Sequence, residues 1–156
     1  MHETTPTRYL QPGHLTRRLM NPLVAYLTAR GLSVWGSRIL EVRGRASGEW
    51  RATPVNPLEV DGHKFLVAPR GETQWVRNLR SAGTGRLRIG RHTEPFVATE
   101  VPDGDKVAVL RPYLVRWKWE VGAFFDGVGP DASDVELLAV APRYPVFEIE
   151  PTTVTP

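Results

Sequence analysis

The residues best suited to chemistry in this chain are arginines set beside glycines. Gly44-Arg45-Ala46-Ser47-Gly48 makes a short basic turn, followed by Arg51 and Pro54. Ile39, Leu40 and Val42 lead into it and Val55 follows, so the stretch reads as strand, tight turn, strand. Backbone N–H groups freed by glycine, flanked by guanidinium groups, suit a phosphate or carboxylate. Taken alone, the turn reads as readily as a solvated polar hairpin. A second stretch, Arg70-Gly71-Glu72-Thr73-Gln74-Trp75-Val76-Arg77-Asn78-Leu79-Arg80, places a strand-end arginine, a glycine and a helix start in succession, with Thr73 as N-cap. The unpaired N–H groups and macrodipole of a helix N-terminus favour an anion. Trp75 and Asn78, three apart, share a helix face, and Leu79 would dock the helix. A third feature is the aromatic run Tyr113, Trp117, Trp119, Phe124 and Phe125. Trp117 fits a core stripe, whereas Trp119 lies off it and is freer to face a ligand.

Other chemistries fall away on spacing. Ser47 abuts Gly48, whereas a nucleophile elbow needs one residue between the serine and each glycine. No Gly-rich loop ends in Gly-Lys-Ser/Thr, and no dinucleotide fingerprint opens a helix. Cysteine is absent, which excludes disulfides, thiolate metal sites and thiol nucleophiles, and the four histidines show no metal-ligand spacing, so no metal is expected. Asp126, Asp131, Asp134 and Glu136 read as a solvated acidic face.

Short elements must carry these residues. Residues 1–13 read as an irregular arm, and Leu15–Arg30 as an amphipathic helix interrupted at Pro22, core-packing in preference to membrane-surface. Strands are expected at Ser37–Arg43, at 50–60 with Pro54 and Pro57 marking an edge, and at Lys64–Ala68 after an Asp61-Gly62 turn. A short helix to about Arg80 follows, then strands at Arg86–Gly90 and Pro95–Val101. Residues 103–125 return to helical spacing, with Pro112 expected to split the helix and Asp103 or Asp105 to cap it. A short helix near Ser133–Val140 and a strand at Val146–Ile149 close the chain. The pattern suggests an α+β, mainly β, single domain over 14–156: a small antiparallel barrel with helices outside.

The 156 residues, 41% hydrophobic, suffice for one core. The net charge of +3 is unevenly spread: positive charge concentrates in the middle of the chain and negative charge in its last third, and arginine far outnumbers lysine. Arginine is the cation best shaped for bidentate contacts to anions. A nucleic-acid partner is not expected, because lysine is scarce and the acidic C-terminal third would repel a backbone. With no secretory pattern and no bilayer-spanning apolar run, a cytoplasmic protein is expected.

Together, Gly44-Arg45-Ala46-Ser47-Gly48, Arg51, Pro54, Val67-Ala68-Pro69-Arg70-Gly71 and Trp75-Val76-Arg77-Asn78-Leu79 resemble the deazaflavin (coenzyme F420)-dependent nitroreductase family. That family's pattern runs Gly-Arg-Lys-Ser/Thr-Gly, Arg, Pro, then a small residue and a cation at a strand end, then Trp and Asn-Leu. The resemblance implies a split antiparallel β-barrel, related to the FMN-binding barrels and flanked by two to four helices. It implies a groove for F420, including its phosphate and acidic polyglutamyl tail. Carried over by position, Arg45, Ala46 and Ser47 would line the turn beside the cofactor. Arg51, Ala52, Thr53, Pro54, Val55 and Asn56 would run along its ring and ribityl chain. Val67, Ala68, Pro69 and Arg70, with Gln74, Trp75, Val76, Arg77 and Asn78, would close the other side. Tyr113, Trp119 and Phe124 are candidates for a substrate pocket. The chain departs from the pattern at Ala46, where the family has lysine, and at Pro69, where its best-known branch has serine.

The implied activity is hydride transfer from reduced F420 to an electron-poor small molecule: a quinone, a nitro compound or an activated alkene. The proton would come from solvent or Tyr113. The alternatives are an FMN- or haem-binding protein on the same barrel and a non-catalytic deazaflavin carrier. A homodimer and a peripheral contact with the inner membrane complete the expectations.

Overall fold

Alternation of apolar residues builds the sheet that positions the basic turn. The computed structural model describes residues 38–121, 125 and 127–152, and within 118–121 the backbone alone. The arm at 1–13, the Leu15–Arg30 helix with its membrane reading, the side chain of Trp119 and all of Phe124 lie outside the described residues. Seven strands form one antiparallel sheet: β1 (Arg38–Arg43), β2 (Trp50–Val55), β3 (Leu58–Val60), β4 (His63–Val67), β5 (Thr84–Ile89), β6 (His92–Glu100) and β7 (Val146–Pro151). Their spatial order is β2-β1-β5-β6-β7-β4-β3, which leaves β2 and β3 at the edges. Among the described residues three α-helices accompany them: α1 (Gln74–Ala82), α2 (Val107–Val121) and α3 (Asp134–Val140).

The strand expected over 50–60 is two strands, β2 and β3. Pro57 has no N–H to give a ladder, and the pairing breaks at Asn56-Pro57 before resuming with β4. Asp61 (φ 50°) and Gly62 (φ 81°) make the β3–β4 turn, as the Asp-Gly pair predicts. The β5–β6 turn is tighter than the sequence suggests: Ile89 pairs with His92, leaving Gly90-Arg91 at the tip.

The curled sheet has two cores because its strands are used differently on their two faces. Leu40, Val42 and Leu87 on the inner face pack with Leu66, Phe96, Phe147 and Ile149 against Val76 and Leu79 of α1. Period-2 alternation sends the neighbours Val67 and Val146 to the other side, where α2 and α3 cover them. The β4–β7 half is therefore buried on both faces. On β1 and β5 the helix that packs, among the described residues, is α1, on the inner face.

α1 runs past the expected end near Arg80 to Ala82 and stops at Gly83, which adopts φ 71° and whose N–H bonds to the Leu79 carbonyl. α2 does not break at Pro112. The carbonyl that loses its partner there belongs to Ala108, an exposed residue, so water can replace the bond. The helix is instead interrupted at Trp117 (φ −124°, ψ 15°), whose ring is buried. Asp103 and Asp105 form a separate short 3-10 turn rather than a cap. Lys106, buried behind that turn, donates to the Ala141 carbonyl (3.0 Å) and pairs with Asp103 (2.6 Å). Arg111 holds the loop before α3 by donating to the carbonyls of Pro130 (2.8 Å) and Ala132 (2.7 Å). Among the described residues no helix is long and apolar enough to cross a membrane.

Leu79 joins α1 to the inner core and is fully buried. Leu79→Ala is expected to lower unfolding free energy by about 2–4 kcal/mol, through lost apolar burial and the cavity left behind. Urea unfolding checks this, and a loss below about 1 kcal/mol would mean that α1 is not docked as described.

Candidate active site

The β1–β2 turn is built to hold its arginines in place. The Gly44 N–H donates to the Glu49 carbonyl (2.7 Å) and the Gly48 N–H to the Gly44 carbonyl (2.8 Å), with Gly48 at φ 71°. Ser47 Oγ accepts from the Glu49 N–H (3.2 Å). A Cβ at position 44 would lie 2.9 Å from Ser47 Oγ and 3.7 Å from Arg51 Nε. Glycine lets the Ser47 hydroxyl close over the start of the turn, where a Cβ would crowd it, while the contact to Arg51 would be an ordinary one.

α1 meets this turn directly. Asn78, 5% exposed, accepts through Oδ1 from the Arg45 backbone N–H (3.2 Å) and from Arg45 Nη1 (2.8 Å). Gln74 Oε1 accepts from the same Nη1 (2.9 Å). Arg45 thus latches the turn to the first two turns of α1. Helix geometry leaves the N–H groups of Gln74, Trp75 and Val76 without intrahelical partners beside it. Thr73, at the N-cap position, does not cap the helix with its side chain, and its Oγ1 is buried with no hydrogen-bond partner. Glu72, the acid nearest the helix start, is held bidentately by Arg80 (2.9 and 3.0 Å), which also grips Glu100 (2.8 and 2.7 Å). The Glu100 and then the Glu72 hydrogen bonds hold the Arg80 guanidinium above its ordinary pKa. Glu72 is thereby held toward Arg80, which it shares with Glu100, so the three groups together keep one net negative charge.

The register sorts the remaining candidates. Arg51 pairs with Val42, Thr53 with Leu40 and Val55 with Arg38, so these three share the inner face with α1. Ala52 and Pro54 point to the outer face, which follows from a period of two and is invisible when the segment is taken as a continuous lining. Val55 and Trp75 border the inner core, and the Trp75 ring lies 6.1 Å from that of Phe147. Val76 is fully buried, as is Ala68, and Val67 belongs to the opposite core, so these side chains pack rather than line a groove. Ala46, Ser47 and Arg77 are exposed; Asn56, Pro69 and Arg70 are half-buried around the loops. Tyr113 is not at this site. It is 2% exposed, with its ring 5.1 Å from Trp117 and 6.2 Å from Phe125 in the core under α2, which corrects the substrate-pocket and proton-donor expectation.

Two features escaped the sequence reading. One is the unpartnered Thr73 hydroxyl. The other is Glu41, 6% exposed between Leu40 and Val42, which binds Arg86 and lies 2.9 Å from Arg88 Nε. A charged residue inside an apolar strand, facing arginines two apart on the neighbouring strand, was the available signal.

The sequence matches the model of the F420H(2)-dependent quinone reductase family over residues 18–121. The chain belongs to this family. It is thus an F420-dependent reductase by family, and its fold is the split barrel. Similar solved structures include an F420-H2 dependent reductase (FDR-A), 17% identical with a TM-score of 0.53 over 74% of this chain and 94% of that one. A structure described as a domain-swapped dimer is 18% identical, with a TM-score of 0.54 over 90% of this chain and 100% of that one. The protein Atu2129 of Agrobacterium tumefaciens, of unknown function, is 15% identical, with a TM-score of 0.53 over 94% and 64%. No curated protein matches the sequence.

The residues present suit F420. Its phosphate and carboxylates call for cationic and N–H donors, which Arg51 and the start of α1 supply, and the Thr73 hydroxyl has hydrogen-bonding capacity unspent. Asn78→Ala should leave the Arg45 N–H without its acceptor, lowering stability by about 1–3 kcal/mol. It should also weaken F420 binding about tenfold or more by releasing the turn, equivalent to about 1.4 kcal/mol. Thermal unfolding and fluorescence titration read the two effects, and unchanged values in both would remove the latch from the argument.

Proposed function

We propose that this protein binds reduced F420 in the groove between the β1–β2 turn, the inner face of β2 and the start of α1, and reduces a quinone. The observation that carries the reading is the Arg45–Asn78 latch, which ties the turn preceding the exposed Arg51 to α1. The family match supports the cofactor and the quinone class. Nitro compounds and activated alkenes are less favoured acceptors.

Bound in its reduced form, F420 would supply the hydride and end oxidised, and with one proton the quinone would become a hydroquinone. The chain's own residues bind, orient and exclude water. Arg51 and the N–H groups of Gln74 and Trp75 take the anionic part of the cofactor. Val55 and Trp75, backed by Phe147, give an apolar border for its ring. Tyr113 is enclosed in the other core, so the proton comes from solvent.

Fluorescence titration with F420, followed by oxidation of F420H2 by a soluble quinone, tests the proposal. Arg51→Ala should raise the F420 dissociation constant about tenfold, as expected for loss of a charge-assisted contact, with thermal stability little changed. Tighter binding of FMN than of F420 would favour the flavin alternative. F420 binding without turnover of quinones would favour a carrier.

A further inference from the structure

Trp50 lies on the outer face of the sheet, 39% exposed, between two guanidinium groups. Arg43 sits 4.2 Å and Arg86 3.9 Å from the centre of its ring. The arrangement is fixed from several sides. Arg43 and Trp50 are the last cross-strand pair before the turn, and Arg43 Nη1 donates to the Gly48 carbonyl (3.0 Å). Arg86 is tied to the buried carboxylate of Glu41, which also faces Arg88. Two arginines thus share the Glu41 carboxylate and Arg43 adds a third cation beside them, leaving excess positive charge on this patch. Stacking on the indole holds the guanidinium planes while leaving edge N–H groups able to meet carboxylate oxygens.

We infer that the Arg43–Trp50–Arg86 stack binds the carboxylates of the polyglutamyl tail of F420, an inference that rests on the reading proposed above. The stack adjoins the turn that carries Arg45, and β2 is an edge strand, so a chain leaving the inner groove can pass round the hairpin without crossing the sheet. An acidic oligomer complements the patch in charge, and fixed arginines suit carboxylates repeated along a chain.

The test compares F420 carrying several glutamates with the phosphorylated cofactor carrying none, by fluorescence titration of wild type, Arg43→Gln and Trp50→Leu. Wild type should bind the long-tailed form more tightly, by about tenfold at low salt, with the advantage shrinking as salt screens the charges. Both variants should lose that advantage and bind the tail-less cofactor as wild type does. Equal binding of the two forms by wild type, or a tail advantage that persists in both variants, overturns the inference while leaving the groove intact. Failure of wild type to bind even the tail-less form overturns the proposed function and this inference with it.

Discussion

The site depends on one buried amide. Asn78 is enclosed between α1 and the sheet, and its Oδ1 accepts two hydrogen bonds from a residue 33 positions earlier in the chain. A buried amide oxygen deprived of donors costs about 1–3 kcal/mol, so the turn and the helix are held to one relative placement. Several features serve that placement. Gly44 gives Ser47 room to close the turn, Leu79 and Val76 seat the helix, Gly83 ends it, and Arg80 fixes its last turn to Glu100 on β6 and Glu72 before its start. None of these residues has to touch a substrate to matter for the groove.

The two halves of the sheet show why the groove sits where it does. Along β4 and β7 both faces are covered, and alternate residues serve different cores. Along β1, β2 and β5 the inner face is apolar next to α1 and the outer face carries Glu41, Arg43, Trp50, Arg86 and Arg88. Hydrophobic burial locks the register there, because a slip by one residue would exchange Leu40 and Val42 for Glu41 and Arg43. Since Arg51 is paired with Val42, the same register places its guanidinium on the helix side. Core packing therefore determines which cations share the face covered by α1.

Much of this was legible in the sequence. The spacing of Gly44, Arg45, Gly48 and Arg51, and the Arg70 to Leu79 stretch, gave the turn and the helix, and the family resemblance implied their juxtaposition. Asp61-Gly62 and Gly83 behaved as local conformational rules require. Where the reading missed, nonlocal packing governed. Tyr113 looks like a ligand-facing aromatic until α2 is laid on the core, and Trp117, not Pro112, interrupts that helix. Ala52 and Pro54 seemed part of a lining because the pairing partner that fixes their side was unknown. Glu41 was passed over because its compensation comes from β5, far along the chain.

The latch also changes how charge is used in this groove. Arg45 keeps its positive charge, but Nη1 and the backbone N–H are committed to Gln74 and Asn78, so its first role is shape. At the neighbouring position Ala46 contributes no cation. A lysine there would stand exposed on a turn and lose up to about 2 kcal/mol of side-chain entropy on being fixed by a ligand. Arg43 and Arg86 have already met much of that cost, since the indole between them and their oxygen partners restrain both side chains in the free protein. Positive charge near the hairpin thus lies on strand residues held in advance rather than on a flexible turn residue at position 46. Preorganised cations exchange conformational freedom for a fixed spacing, and so discriminate better among anions by the separation of their charges.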